Sequence, residues 1–188
     1  MQSEEETIIL SSPDAVVHLE YEPKTLPSLQ QVAAEYGGGS WTRFVCISDT
    51  HCKTFEVPDG DVLLHSGDLT KVGRTVEMKK TMEWIYGLPH KVKIVIAGNH
   101  DLPLHREWYE ENWKRWAWSM KQDFDSVSEW LTGERAKASG VIYLENEKAT
   151  FRLAPDRREW YEKLNFDSKW SPEYHNWAFN YQPEEAEG

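Results

Sequence analysis

Cysteine is scarce in this chain: Cys46, inside an apolar run, and Cys52, just beyond it, are the two in 188 residues. So few exclude a disulfide framework, and both read as free thiols suited to a reducing, cytoplasmic compartment. Long apolar runs are missing as well, since none approaches the roughly 18 residues of a membrane-spanning helix. The amino terminus, MQSEEETIIL, is acidic where a secretory signal would be basic and then apolar, so no secretion by that route and no membrane partner are expected. Positive charge is in deficit, with 21 Lys and Arg against 32 Asp and Glu and a formal net charge of −11. No basic stripe can neutralise phosphates along a duplex, which excludes double-stranded nucleic acid as a partner. A small phosphorylated substrate remains open, because bound cations invert the local field of an acidic protein.

What is present suits one α/β domain, large enough to bury about 70% of the surface that the unfolded chain would expose. Residues 1–40 mix acidic, proline-containing and short apolar pieces and end in EYGGGSW, so they read as an N-terminal extension with some local structure. Residues 41–188 form the domain proper. Three short apolar runs follow the extension: RFVCIS (Arg43–Ser48), DVLLHSG (Asp61–Gly67) and KVKIVIAG (Lys91–Gly98). Each is rich in Val, Ile or Leu and bounded by turn residues, the pattern of parallel strands buried on both faces. Between the second and third, Met78, Met82, Ile85 and Leu88 recur at helical spacing, and Gly87 and Pro89 end the helix. In LHREWYEENWKRWAWSM, Tyr109, Trp113, Trp116 and Met120 form a second stripe, expected to be a helix packed on the core over 104–120. DSVSEWLTG reads as a short helix stopped at Gly133. GVIYLENEKATFRL reads as two strands around a turn at Asn146, opening a second, antiparallel sheet.

The ends of the three parallel strands carry the chemistry. The pair Asp49 and His51 alone fits an ordinary polar loop as well as a metal site. Asp68 follows the second strand in HSGDLT, however, and Asn99, His100 and Asp101 follow the third in AGNHDL. Ligands of parallel sheets bind in the crevice beyond the carboxyl ends of the strands. In an extended chain, the period of two would point Asp49 and His51 to the same side. Gly67 and Gly98 let the backbone turn sharply before Asp68 and Asn99. A carboxylate such as Asp68 can bridge two cations about 3.5–4 Å apart, the separation of two-metal phosphoryl chemistry.

The blocks Asp49-Thr50-His51, Gly67-Asp68 and Gly98-Asn99-His100-Asp101 resemble the first three signature blocks of the calcineurin-like metallophosphoesterase superfamily, and most closely its small metallophosphoesterase-domain-containing subfamily. The likeness is close over Trp41 to about Leu104, weakens through the Trp-rich segment, and resumes at GVIYLENEKATF and KWSPEYHNWAFNY. The resemblance implies an αββα sandwich and two-metal hydrolysis of a phosphomonoester or phosphodiester. It makes Asp49, His51 and Asp68 ligands of one metal and Asp68 with Asn99 ligands of a second. It makes His100 the catalytic histidine, held by Asp101. Mixed nitrogen and oxygen donors suit Mn, Fe or Zn without choosing among them. His65 lies inside its strand and is expected to pack in the core or to support the ligands from behind.

The later His-Gly and Gly-His-x-His blocks of that superfamily are not found. After Asp101 the remaining histidines are His105 and His175, both expected to be non-ligands. The segment APDRREWYEKLNFDSKW departs from the superfamily pattern, and Trp160, Tyr161 and Leu164 in it suggest an inserted helix or a stretch that does not pack. The expectation is therefore the N-terminal portion of the sandwich with an incomplete second sheet, one ion held or two held weakly, and impaired turnover on a small phosphoester. The rival is a non-catalytic module that binds metal or a protein partner, or self-associates, through the exposed part of that sheet.

Overall fold

The computed structural model describes residues 7–9, 16–18, 25–35, 41–116, 120–145, 147–155, 159–162, 171–172 and 177–181. The chain divides into two compact units, one of Met1–Trp41 with Glu56–Pro58 and the other of Thr42–Phe55 with Asp59–Gly188. In the first unit, strands β1 (Thr7–Ile9) and β2 (Val16–His18) pair antiparallel, followed by helix α1 (Leu29–Glu35). The start of α1 is a reciprocal cap: Ser28 Oγ accepts from the Gln31 N–H at 3.2 Å, and Gln31 Oε1 accepts from the Ser28 N–H at 2.7 Å.

The second unit is built on β3 (Phe44–Ile47), β4 (Val62–His65), α2 (Thr75–Gly87), β5 (Val92–Val95), α3 (Arg106–Asn112), α4 (Phe124–Thr132), α5 (Glu134–Ala138) and β6 (Val141–Tyr143). Strands β3, β4, β5 and β6 form one four-stranded parallel sheet in that order. Its register aligns Cys46, Leu64, Ile94 and Ile142 across the sheet. The strands and α2 fall where apolar runs and helical spacing expect them. In α2, Met78, Met82 and Ile85 are fully buried, and the helix ends at Gly87. Thr81, on the same face, donates its hydroxyl to the Leu69 carbonyl at 2.9 Å and so ties α2 to the loop leaving β4. The α4 helix starts on Asp123, whose carboxylate accepts from the Ser126 N–H, and stops at Gly133 as expected.

Strands β7 (Ala149–Arg152) and β8 (Glu159–Glu162) pair antiparallel, and β9 (Ser171–Pro172) pairs parallel with β10 (Asn180–Tyr181). Ala149 and Phe151 of β7 cluster with Val62, Ile94, Ile96 and Leu144, so β7 covers one face of the parallel sheet. Alternation puts Val45, Leu63 and Val95, all buried, on the opposite face. This is the sandwich order expected, with a two-stranded second sheet among the described residues.

Three local expectations are corrected. Val141–Tyr143 does not open the second sheet; it is the fourth strand of the first, because α4 and α5 return the chain alongside β5, where Lys93 N–H donates to Gly140 O at 2.8 Å and Leu144 N–H to Val95 O at 3.0 Å. The turn residue Asn146 and also Leu164 lie outside the described residues. Glu159–Glu162, expected as helix or unpacked chain, is a strand, because β7 offers an open edge whose ladder satisfies its backbone. The expected helix over 104–120 is instead a 3-10 turn at Leu102–Leu104, α3, and a second 3-10 turn at Trp113–Trp116. The Tyr109 hydroxyl accepts from the Gln122 N–H at 3.0 Å and Gln122 Oε1 accepts from the Thr75 N–H at 2.9 Å, which turns the chain back toward the start of α2 and leaves Met120 77% exposed.

Candidate metal centre

The loops leaving β3, β4 and β5 are laced together by backbone. Asp49 N–H donates to Gly67 O, His51 N–H to Asp68 O and Cys52 N–H to Leu69 O, at 2.9–3.1 Å. The chain is not extended there, so the period-of-two reason for pairing Asp49 with His51 does not apply. Asp49, His51, Cys52 and Asp68 sit instead at φ 54°, 45°, 65° and 54°. Non-glycine residues in the left-handed region cost on the order of 1–3 kcal/mol each, persist where neighbours hold them, and concentrate at functional sites. The two glycines are needed for close approach. At Gly67 (φ 98°) a Cβ would meet Ala97 O at 2.8 Å, and at Gly98 it would overlap the amide and carboxylate of Asp68.

At this junction one nitrogen or oxygen from each of His51, Asp68 and His100 lies within 4.8 Å of the others. The orientation of each donor has a cause. His51 Nδ1 faces the Thr70 carbonyl at 2.9 Å and His100 Nδ1 faces the Lys71 carbonyl at 2.8 Å, so both rings donate Nδ1–H to backbone and keep the Nε2 lone pair for the cluster. Asp68 accepts the His100 N–H on Oδ1 at 2.9 Å and turns Oδ2 toward His51 Nε2 at 3.8 Å. The His51 and His100 rings meet edge to face with centroids 4.5 Å apart. Two imidazole nitrogens and a carboxylate oxygen, with both imidazoles fixed from behind by carbonyls, form a donor set that fits a borderline divalent ion such as Mn, Fe or Zn.

The other expected site residues stand apart from that trio. Asp49 is exposed, accepts a hydrogen bond from the Ser48 hydroxyl, and is not one of the clustered donors. Asn99 is half-buried in the turn between Gly98 and His100. Asp101 does not hold the His100 ring. It is fully buried, and its carboxylate accepts from the N–H groups of Leu69, Thr70 and Gly98 and from the Thr70 hydroxyl, at 2.7–3.1 Å. Asp101 therefore joins the loops after β4 and β5 to each other, and the Lys71 carbonyl takes the role expected of it toward His100. Burial pushes the Asp101 carboxyl up to about 6, against the pull of those donors.

His105 points elsewhere: its Nδ1 accepts from the Phe179 N–H at 2.9 Å, and the two rings stack 4.8 Å apart. That agrees with reading it as a non-ligand, while His175 lies outside the described residues. Sequence reasoning missed Trp177, whose ring lies 4.0 Å from that of His100 at 32°. A tryptophan in WAFNY carries no signal that separates a site wall from core. It also missed the carbonyls of Thr70 and Lys71, which no side-chain pattern reveals.

The calcineurin-like phosphoesterase family profile matches residues 42–183. The chain belongs to that family. It is 38% identical over 152 residues to metallophosphoesterase domain-containing protein 1 of Homo sapiens and equally to that of Mus musculus, matches that cover 74% of this chain and 41% of each relative. It is 61% identical over 64 residues to a UPF0046 protein of Caenorhabditis elegans, covering 32% of this chain and 23% of that protein. The chain thus spans 41% of the length of its human and mouse relatives. No helix among the described residues is long and apolar enough to cross a membrane.

Proposed function

We propose that this chain is a metal-dependent phosphoesterase acting on a small phosphomonoester or phosphodiester. The observation that carries the reading is the convergence of His51, Asp68 and His100 within 4.8 Å at the carboxyl ends of adjacent parallel strands. His51 and Asp68 would hold the first cation, and Asp49 and Asn99, in the loops after the same strands, would be called on to extend the donor set. A bound divalent ion, with manganese the first to test, would supply positive charge to the phosphoryl oxygens and a more acidic water. If protonated at Nε2 instead of ligating the ion, His100, with its Nδ1 committed to Lys71, would deliver that proton to the departing oxygen. The scarcity of cysteine, two in 188 residues, suits the cytoplasmic setting that we also propose.

Trp177 against the His100 ring favours a second reading, a module that binds one ion without turnover. Calorimetry with Mn²⁺ and hydrolysis of an aryl phosphodiester by the same preparation separate the two. The enzyme reading expects one binding event and a turnover that both disappear in Asp68→Ala. Turnover that survives Asp68→Ala and chelation would overturn the metal mechanism, and binding without turnover would select the module.

A further inference from the structure

Thr50 stands between Asp49 and His51 and is 2% exposed, and its hydroxyl lies 3.0 Å from Nε2 of His65, which is 1% exposed at the end of β4. The other ring nitrogen of His65 is buried without a hydrogen-bond partner, so Thr50 is the ring's polar contact. The loop that Thr50 belongs to is the strained one, with left-handed residues immediately before it and at the two positions after it. Backbone bonds to Gly67, Asp68 and Leu69 set the path of this loop, yet they bind amides that many conformations could present. What the loop needs besides is a side-chain anchor that fixes Thr50 inward, so that its neighbours face outward. A histidine inside an otherwise apolar strand supplies one, at the cost of burying a polar ring.

We propose that the Thr50–His65 pair is the positioning element of the metal centre: His65 holds Thr50 in the core, and Thr50 thereby holds Asp49 and His51 in the conformation that presents them to the ion. The proposal rests on the metal-site reading above and adds to it two residues that touch neither ion nor substrate. Its signature is a site that loses affinity while the fold persists. Replacing Thr50 by valine keeps shape and removes the hydroxyl; serine keeps the hydroxyl and removes a methyl group.

Two measurements on the 188-residue chain test this. In Mn²⁺ calorimetry Thr50→Val and His65→Phe should weaken binding about tenfold, the lower end of what loss of a supporting hydrogen bond does to metal affinity, while Thr50→Ser stays close to wild type. In the metal-free chain, amide hydrogen exchange at His51 and Cys52 should quicken in Thr50→Val and not in Thr50→Ser, with amides of β4 and β5 unchanged. Valine and serine variants that behave alike in both measurements would overturn the proposal. A wild-type chain that bound no Mn²⁺ would defeat the metal reading instead, and the exchange data would still decide whether the pair orders the loop.

Discussion

His100 donates its backbone N–H to Oδ1 of Asp68 at 2.9 Å, so the turn after β5 is fastened to the carboxylate that follows β4. One oxygen of Asp68 is thereby spent on architecture and the other is left for the cluster with His51. The division separates charge from shape. Asp68→Asn keeps a carbonyl oxygen for the His100 N–H but removes the negative charge, so Mn²⁺ affinity should fall tenfold or more while stability changes by about 1 kcal/mol or less. Calorimetry and urea titration of one preparation check both halves. A large loss of stability with affinity retained would mean that Asp68 serves the fold alone.

Gly98 faces the same residue from the other side. An added Cβ would overlap the amide nitrogen and carboxylate of Asp68, atoms that belong to a tightly laced loop and cannot swing away. Gly98→Ala should therefore cost about 1–3 kcal/mol by overpacking and abolish measurable Mn²⁺ binding. Gly87, with nothing within 4 Å of the position of its Cβ, is the control, and alanine there should leave metal binding unchanged.

Much of this arrangement was legible in the sequence, for identifiable reasons. Strands buried on both faces read as unbroken apolar runs, hence Val62–His65 and Val92–Val95. Helix α2 declares itself through Met78, Met82 and Ile85 because its other face is solvated. Short runs that can pair with either of two sheets are ambiguous, which is why Val141–Tyr143 reads as readily into the second sheet as into the first. Trp160, Tyr161 and Leu164 stand at helical steps, a spacing that does not reveal the strand edge waiting at β7. At the site, the residue types at the strand ends were visible and their conformation was not, since aspartate and histidine give no warning of a positive φ. The partners of Asp101 are backbone N–H groups, which every sequence has and none advertises.

Asp101 is the test of that last point. Its carboxylate gathers four donors in a fully buried place, and an amide there would turn N–H groups against N–H groups. Asp101→Asn should lose on the order of 3 kcal/mol of stability, as expected when charge-assisted bonds are broken and donors are left buried. Urea unfolding measures it. A variant as stable as wild type but catalytically dead would restore the direct role toward His100 that the structure assigns to Lys71.

His65 gives a pH dependence of known sign. Burial pushes its imidazole down to about 4, with the charge of Asp49 acting the other way. The unfolded chain takes up a proton near the ordinary value of about 6.5 and the folded chain resists until about 4, so the contribution of His65 is complete above pH 6.5 and is lost as pH falls through that window. Asp101, pushed up to about 6, works in the opposite direction over part of the same range, so the measurement must be a difference. The stability gap between wild type and His65→Phe should move by roughly 2 kcal/mol against wild type between pH 7 and pH 5. A gap independent of pH would mean that burial leaves the His65 imidazole unshifted, and a gap that moved in favour of wild type at low pH would mean that His65 is protonated in the folded chain.

Trp177 decides between the two readings of function. Its ring lies 4.0 Å from that of His100, and two residues later Phe179 is fully buried, stacked on His105 and donating its N–H to His105 Nδ1 at 2.9 Å. The tryptophan is thus held by an anchor outside the metal cluster, and it limits the positions open to an imidazole already tied to Lys71 by one nitrogen. If His100 delivers a proton, that restriction helps catalysis, because a misplacement of about 1 Å in a reacting group can cost 10²-fold in rate. Trp177→Ala should then lower turnover of an aryl phosphodiester roughly tenfold or more, with Trp177→Phe retaining most of it and Mn²⁺ affinity little changed in either. If instead the ring blocks His100, the alanine variant should be faster than wild type, and the non-catalytic module becomes the better description of the intact chain. Turnover and calorimetry on the same three proteins separate these outcomes, because the first expectation moves the rate down and the second moves it up while both leave the ion in place.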